Sequence, residues 1–380
     1  MKRLTVFLIL FLVFLFIAKP IFAIYDPISV SNNKFGIHIL FPEELDDAAK
    51  LVNSSGGDWG YVTVPIQDSD RDLVKWQKFM DHCKKLHVIP IIRIATEGDY
   101  FVKGSWLIPS NYYIIDFANF LNSLNWPTKN HYVVIFNEPN RGDEWGGTPD
   151  ASAYANILNY AVDTFKQRND KFFIIMAALD NASANINGSS VNQLDFIKEM
   201  NDSVPGIFGK IDGIATHSYP NPAFASPPSY LGQNSINSFS YEQNLAKLLG
   251  DKTLPVFITE TGWSTNSIAP ATQAQYYKQA FADVWSDKSI VAVTPFLLTA
   301  GGDSFKQFSF IVDGTKSEQY IAISNLPKVA GKPNLEPNSN NAQTINLILD
   351  TKSFTDEFTK SIYNKINTSS KTFFKWLLGI

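Results

Sequence analysis

The chain has 380 residues, of which 45% are hydrophobic and 18% charged, as in a globular protein with a large core. The formal net charge is −4, from 32 basic and 36 acidic residues. This balance argues against a nucleic-acid partner, because such proteins normally carry a basic patch or stripe. The length is large for one ordinary domain but within the range of a single large α/β domain.

Residues 1–23 have the composition of a targeting segment. A positive start at 1–3 precedes an apolar run over 5–18, and Ala23 offers a small residue for cleavage. The run is shorter than the roughly 20 residues of a membrane span, so it suits a signal peptide better. An uncleaved anchor through residues 5–25 is the alternative. Either way we expect an exported protein, extracellular or at the cell surface, with membrane tethering only if the segment is kept.

From residue 34 onward, apolar strand-like runs alternate with helical patterns. The eight predicted strands cover residues 34–40, 59–67, 88–96, 131–136, 172–179, 212–220, 255–260 and 290–298. The helices that follow them are predicted over 42–54, 72–87, 114–124, 151–168, 191–201, 241–250, 273–287 and 317–325.

The predicted strands show little polar alternation, as expected when both faces of a parallel sheet are buried. Eight strand–helix pairs predict an α/β fold of the (β/α)₈ TIM-barrel type with right-handed crossovers. A doubly wound open sheet is disfavoured, because no Gly-rich phosphate turn follows the first strand.

The predicted barrel domain covers residues 24–326. Residues 327–343 are rich in Pro, Asn and Lys and are interpreted as a linker. Residues 344–380 are predicted to form a helical C-terminal extension that ends in "KTFFKWLLGI". Its amphipathic end would touch a membrane, pack on the barrel or form a frayed tail.

Cysteine and histidine usage gives no support for a metal or another cofactor. Cys83 is the only cysteine, which excludes an intrachain disulfide, and its helical pattern predicts a buried apolar role. The five histidines are scattered and show no ligand spacing.

Polar residues at the predicted strand ends are the candidates for chemistry, since TIM-barrel active sites lie at the carboxyl ends of the strands. Strand four ends in Asn137 and Glu138, and strand seven ends in Glu260. Two carboxyl groups across one barrel mouth are what acetal hydrolysis needs. One protonates the leaving oxygen, and the other attacks or stabilises the oxocarbenium-like carbon.

The stretches "FNEPN" and "ITETGWS" resemble the two signature strands of the clan A retaining glycoside hydrolases, which include family 5 cellulases and family 17 β-glucanases. The resemblance covers about residues 34–326. It implies that Glu138 is the general acid/base, that Glu260 is the nucleophile, and that Asn137 hydrogen-bonds the sugar 2-hydroxyl. The expected activity is hydrolysis of β-linked oligo- or polysaccharides with retention.

Three further strand-end residues are candidate site residues. Tyr219 is similar to the strand-six tyrosine that hydrogen-bonds the nucleophile in this clan, and with Arg93 it would hold Glu260 ionised. Arg93 could instead be a core cation paired with a carboxylate inside the barrel. His217 would orient Tyr219, bind sugar hydroxyls or be a satisfied buried histidine.

Loop tryptophans are the candidate sugar-stacking rings, because large rigid rings lose little entropy on binding. Trp263 lies three residues after Glu260, and Trp145 follows Glu138 in "NRGDEWGG". Either could also be a packing residue. Strand eight, "VTPFLLTAGG", lacks the tryptophan that many clan members have there, and Phe296 or Trp263 could fill its place.

Two other functions fit the same residues. A non-catalytic, surface carbohydrate-binding barrel would keep the site shape, but it would be expected to lose one carboxylate. A transglycosylase would use the same pair of glutamates. A Ser-His-Asp hydrolase is disfavoured because the Gly-x-Ser-x-Gly elbow is missing. The sequence predicts no oligomeric state.

Overall fold

The computed structural model of the chain describes residues 24–97, 105–300 and 302–337. The principal strands are β1 (Gly36–His38), β2 (Gly60–Gln67), β3 (Val88–Ala95), β4 (His131–Ile135), β5 (Phe172–Met176), β6 (Gly213–His217), β7 (Val256–Glu260) and β8 (Ile290–Val293). A hairpin of β9 (Ile311–Val312) and β10 (Thr315–Lys316) follows them. The α-helices are α1 (Leu45–Val52), α2 (Leu73–Leu86), α3 (Asn111–Asn122), α4 (Ala151–Arg168), α5 (Gln193–Ser203), α6 (Ile207–Lys210), α7 (Ser238–Gly250), α8 (Pro270–Ala282) and α9 (Glu318–Ser324).

The eight strands form one closed parallel barrel. Each strand from β1 to β8 pairs in parallel with the next one along the chain. Phe35 and Val293 pair across the first and last strands, and the His38 N–H donates to the Pro295 carbonyl at 3.0 Å. The fold is therefore the predicted (β/α)₈ barrel.

The apolar core has two layers. Inside the barrel lies a cluster that includes Ile91, Tyr132 and Phe257. Between the strands and the surrounding helices lies a larger cluster, which contains Cys83 in the buried position predicted for it. Because side chains fill the barrel interior, a substrate can bind only at one of its ends.

Several strands are shorter than predicted, and β8 shows the physical reason. The predicted strand over 290–298 ends at Val293, because Pro295 has no N–H to donate to a ladder. The next donors alternate between neighbours: the Phe296 N–H donates to Thr261 O on the β7 side, and the Leu298 N–H to His38 O on the β1 side. This irregular segment carries Phe296 to the mouth of the barrel.

The first part of the predicted linker contacts the barrel in this structure. The Gly331 N–H donates to Asp58 O at 2.9 Å, and Glu336 accepts from Lys171 Nζ at 2.7 Å. These contacts lie at the amino ends of the strands, opposite to the mouth. The targeting segment 1–23, the rest of the linker and the helical extension 344–380 lie outside the described residues. Within the part of the chain that the structure describes, no helix is long and apolar enough to cross a bilayer.

Candidate active site

Glu260 reaches the barrel interior because of an irregularity between β6 and β7. Thr216 pairs with Ile258, but His217 pairs with Glu260, so Thr259 is an extra residue without a partner on β6. Phe257 points into the barrel, and strict alternation would aim Thr259 inward and Glu260 outward. The extra residue reverses this order and re-aims the carboxylate, as β-bulges often do near active sites.

The exit of β4 is held in an uncommon backbone conformation. Phe136 has a φ of 71° and Glu138 a φ of 35°, both in the left-handed region that non-glycine residues rarely adopt. The Glu138 N–H donates to Ala178 O beyond β5 at 3.0 Å, which fixes the turn. Such strain costs on the order of 1–3 kcal/mol and clusters at functional sites. Here it brings Asn137 and Glu138 together to the mouth.

Glu260 is surrounded by hydrogen-bond donors. Arg93 Nη1 and the Tyr219 hydroxyl, at 2.9 Å, donate to its two oxygens, and Nε2 of His217 lies 3.7 Å from Oε1. Burial favours the neutral acid, but the charges of His217 and Arg93 outweigh it and hold the pKa of Glu260 well below its ordinary value. The carboxylate that Arg93 contacts is thus Glu260, which Tyr219 also contacts.

His217 connects the two glutamates. Its Nδ1 lies 2.6 Å from Glu138 Oε1, while Nε2 faces Glu260. Burial lowers the pKa of His217, but the fields of both glutamates and the hydrogen bond to Glu138 raise it above its ordinary value overall. The raised pKa favours the protonated imidazole, which can donate to Glu138 through Nδ1. The His217 side chain is 0% exposed, so the prediction that it binds sugar hydroxyls is wrong for this structure, and it acts on the carboxylates instead.

Asn137 belongs to the same network. Its Oδ1 accepts from Arg93 Nη1 at 2.8 Å, and its side chain hydrogen-bonds the carboxyl group of Glu144. Burial, followed by the charge of Glu138, raises the pKa of Glu144 to about 7. A third carboxyl group, which changes its charge near neutral pH, therefore lies beside Glu138 and Asn137.

The two tryptophans predicted as sugar platforms are buried, so this prediction is wrong. Trp145 is 1% exposed and packs edge-on against Tyr154, at 5.6 Å between ring centroids. Trp263 is 0% exposed; its Nε1 donates to Ser226 O, and its ring packs on Tyr277. Both rings turn into the outer core layer and offer no face to a ligand.

Several residues at the mouth were not in the predicted site. His38 ends β1, with Nε2 3.6 Å from Glu260 Oε1, and burial and the charge of Arg93 lower its pKa to about 3. The strand-end rule that found Glu260 could also have found His38. Glu144 and Arg141, whose Nη1 lies 3.3 Å from Glu138 Oε2, are in the loop after β4, where no sequence spacing indicates them.

Phe296, the candidate replacement for the strand-eight tryptophan, lies beyond the end of β8. Its ring packs edge-on against His38, with 5.2 Å between centroids, and it is 8% exposed. Among the described residues, no group of three or more His, Cys, Asp or Glu side chains could hold a metal ion. The arrangement offers one carboxylate held as an anion and one carboxyl group hydrogen-bonded to a histidine.

Comparisons with known proteins find likeness in structure but not in sequence. A scan against protein-family models gives no match, and neither does a search of curated protein sequences. A family 39 glycoside hydrolase from the gut symbiont Bacteroides cellulosilyticus WH2 is 16% identical, with a TM-score of 0.54. That match covers 79% of this chain, which spans only 64% of the other.

Two further solved structures are similar at about the same level. A GH128 (subgroup II) endo-β-1,3-glucanase from Sorangium cellulosum is 15% identical, with a TM-score of 0.52, over 77% of this chain and 98% of that one. A glucosidase from Croceicoccus marinus is 10% identical, with a TM-score of 0.58, over 79% and 68%. The likeness is one of fold. At these identities it confirms the barrel on which such enzymes are built.

Proposed function

We propose that the protein is a retaining glycoside hydrolase that cleaves β-linked glycans with Glu138 and Glu260. The observation that carries the proposal is the contrast between the two carboxyl groups. Glu260 is held as an anion by the charges of His217 and Arg93 and by a hydrogen bond from Tyr219, while Glu138 shares a hydrogen bond with His217. A nucleophile must be ionised, and a general acid must be able to hold a proton.

In the first step, a Glu260 oxygen attacks the anomeric carbon, and the proton held by Glu138 passes to the glycosidic oxygen. The bond from the anomeric carbon to the leaving group breaks, and a glycosyl ester forms on Glu260. In the second step, ionised Glu138 takes a proton from water, whose oxygen attacks the anomeric carbon and releases Glu260. Two inversions give net retention.

Asn137 supports both steps in this proposal. Its Oδ1 is occupied by Arg93, so its amide nitrogen is left to donate to Glu144 and to a sugar 2-hydroxyl. A hydrogen bond to that hydroxyl strengthens in the oxocarbenium-like transition state. Burial and the charges of Glu260 and Glu138 raise the pKa of Tyr219, so its phenol remains a donor throughout.

The named structural neighbours support this class of reaction, since they include glycoside hydrolases, two of them called a β-1,3-glucanase and a glucosidase. β-Linked glucans are therefore the first substrates to test. The experiment is hydrolysis of β-1,3- and β-1,4-glucans and aryl β-glycosides by the full chain, with proton NMR of the first-formed anomer. We expect the β-anomer first; initial α-anomer would contradict retention. Binding of glucans without turnover would favour a carbohydrate-binding barrel.

We also propose that the protein is exported, because residues 1–23 have the composition of a signal peptide. N-terminal sequencing of the protein recovered from a secreting host tests this. Recovery outside the cell with a start near residue 24 is the expected result. An intact Met1 in a membrane fraction would indicate the anchor instead, and an intact chain in the cytosol would contradict export.

A further inference from the structure

An apolar cluster, here called the mouth wall, stands beside the two glutamates and is separate from both layers of the core. It consists of Phe296, Leu297 and Phe308, with Leu40, Tyr219 and Phe224 packed against them. The residues come from the carboxyl-terminal exits of β1, β6 and β8 and from the loop after β8. One member of the mouth wall contacts Glu260 directly, because the Tyr219 hydroxyl donates a hydrogen bond to it.

Phe305 extends the mouth wall into solvent. Its ring is 50% exposed and stands edge-on to Phe296, with 5.2 Å between centroids. Phe296 lies at the same distance from His38, whose Nε2 is 3.6 Å from Glu260. Single exposed aromatic rings are ordinary on protein surfaces. This ring differs because an unbroken series of contacts joins it to Glu260, over a distance that a short glycan can span.

The position of Phe305 also indicates which part of a glycan it would meet. Glu138, at the end of β4, would protonate the leaving group, so the leaving group lies on that side of the mouth. In a closed barrel of eight strands ordered β1 to β8, β8 stands across from β4. Phe305 therefore lies on the side of the sugars that remain bound to Glu260.

We propose that Phe305 is a stacking platform for a sugar unit beyond the cleaved one, on the non-leaving side, so that the site prefers oligosaccharide chains to single sugars. The C–H face of a pyranose would lie on the exposed ring, and Phe296 would hold that ring in place from below. The inference rests on the proposed function for its direction along the glycan. It assigns to Phe305 the stacking role that buried Trp145 and Trp263 cannot perform.

The test uses p-nitrophenyl β-glycosides of one, two and three glucose units, joined by β-1,3 or β-1,4 bonds. The leaving group is the same in all of them, so length changes only the non-leaving side. For Phe305→Ala we expect kcat/KM to fall about tenfold on the longer glycosides and to stay unchanged on the single unit. Phe305→Trp should restore the preference for length. Leu248→Ala, which removes an 80% exposed side chain on α7, is the matched control.

Two results would overturn the platform while leaving the proposed function intact. The first is that Phe305→Ala and the wild type have equal kcat/KM at every glycoside length. The second is that Phe305→Ala lowers kcat/KM by the same factor at every length. If the protein hydrolyses no glycoside, the proposed function fails, and calorimetric titration with three-unit β-glucans decides on the platform alone. Weaker binding to Phe305→Ala than to Leu248→Ala would then support it. Equal binding, or none to the wild type, would overturn it.

Discussion

Glu260 and Glu138 are each 8% exposed, yet their surroundings differ in kind. Around Glu260 the close contacts are the guanidinium of Arg93 and the phenol of Tyr219. Together with the nearby charge of His217, these two donors hold Glu260 as a carboxylate. Around Glu138 the nearest partner is His217, a group that titrates. The difference teaches that one half of the site, around Glu260, stabilises a charge, while the other half, around Glu138 and His217, contains a histidine that can exchange a proton.

The largest effect is expected from removing the fixed charge. Glu260→Ala should lower kcat/KM on every β-glycoside by about 10⁴-fold or more, because no covalent intermediate can form. Added azide should partly restore turnover and give the α-glycosyl azide, since it attacks from the face that Glu260 occupied. Glu199→Gln, on the exposed face of α5, should retain full activity. If Glu260→Ala is folded and as active as the wild type, the assignment of Glu260 is wrong.

Removing the carboxyl group that carries the proton should have an effect that depends on the leaving group. Glu138→Ala should lower kcat/KM on glucans by about 10²–10⁴-fold, because their leaving oxygen needs a proton. The loss of rate in the first step should be much smaller on dinitrophenyl glycosides, because dinitrophenolate leaves as a stable anion. Azide should here give the β-glycosyl azide, because it replaces water in the second step. The same loss on both substrates, or an α-product, would mean that the two roles are not divided as proposed.

The sequence predicted the barrel, and it indicated the two strand-end glutamates as candidates, because both inferences depend on regular features. Apolar runs and helical periods recur eight times, and polar residues mark the strand ends. It could not show how Glu260 enters the barrel, since Thr259 becomes an extra residue only through the pairing of β7 with β6. Alternation alone would have aimed Glu260 at the helices.

The tryptophan predictions failed because the direction of a loop side chain depends on tertiary contacts. Gly262, directly before Trp263, has a φ of 154°, and a Cβ there would come within 2.9 Å of the Tyr277 hydroxyl. The indole of Trp263 packs against Tyr277 in the outer core layer. Glu144 was missed for a related reason. Its place beside Asn137 is set by how the loop after β4 folds, not by its distance along the chain.

Tyr219→Phe would sharpen the comparison, because it weakens the fixed charge without removing the carboxylate. A hydrogen bond to a charged group contributes about 1.5–3 kcal/mol, so we expect a loss of roughly 10–100-fold in kcat/KM. Without the phenol donor the pKa of Glu260 should rise, which moves the acidic limb of the pH profile of kcat/KM to higher pH.

The matched control is Tyr61→Phe, which removes a hydroxyl that hydrogen-bonds Asn32 away from the mouth. It should leave the acidic limb in place. An acidic limb that does not move in Tyr219→Phe would show that the phenol does not contribute to holding the charge of Glu260, whatever happens to the rate.

The smallest effect concerns Glu144, which extends the proton-exchanging half of the site. Burial and the charge of Glu138 raise its pKa to about 7 in the folded protein, above the ordinary carboxyl value. The folded state therefore keeps a proton that the unfolded chain releases as the pH rises. Its contribution to stability is fully present below the ordinary value, and it is lost progressively up to about pH 7.

Glu144→Gln keeps a hydrogen-bonding side chain beside Asn137 but cannot ionise. The melting temperature of Glu144→Gln minus that of the wild type should therefore increase from acidic to neutral pH. The difference should reach about 2 °C at pH 8 and stay constant above that. Exposed Glu199→Gln should show no such trend. A difference independent of pH would mean that Glu144 ionises like a surface carboxylate. The proton-exchanging half of the site would then be reduced to Glu138 and His217.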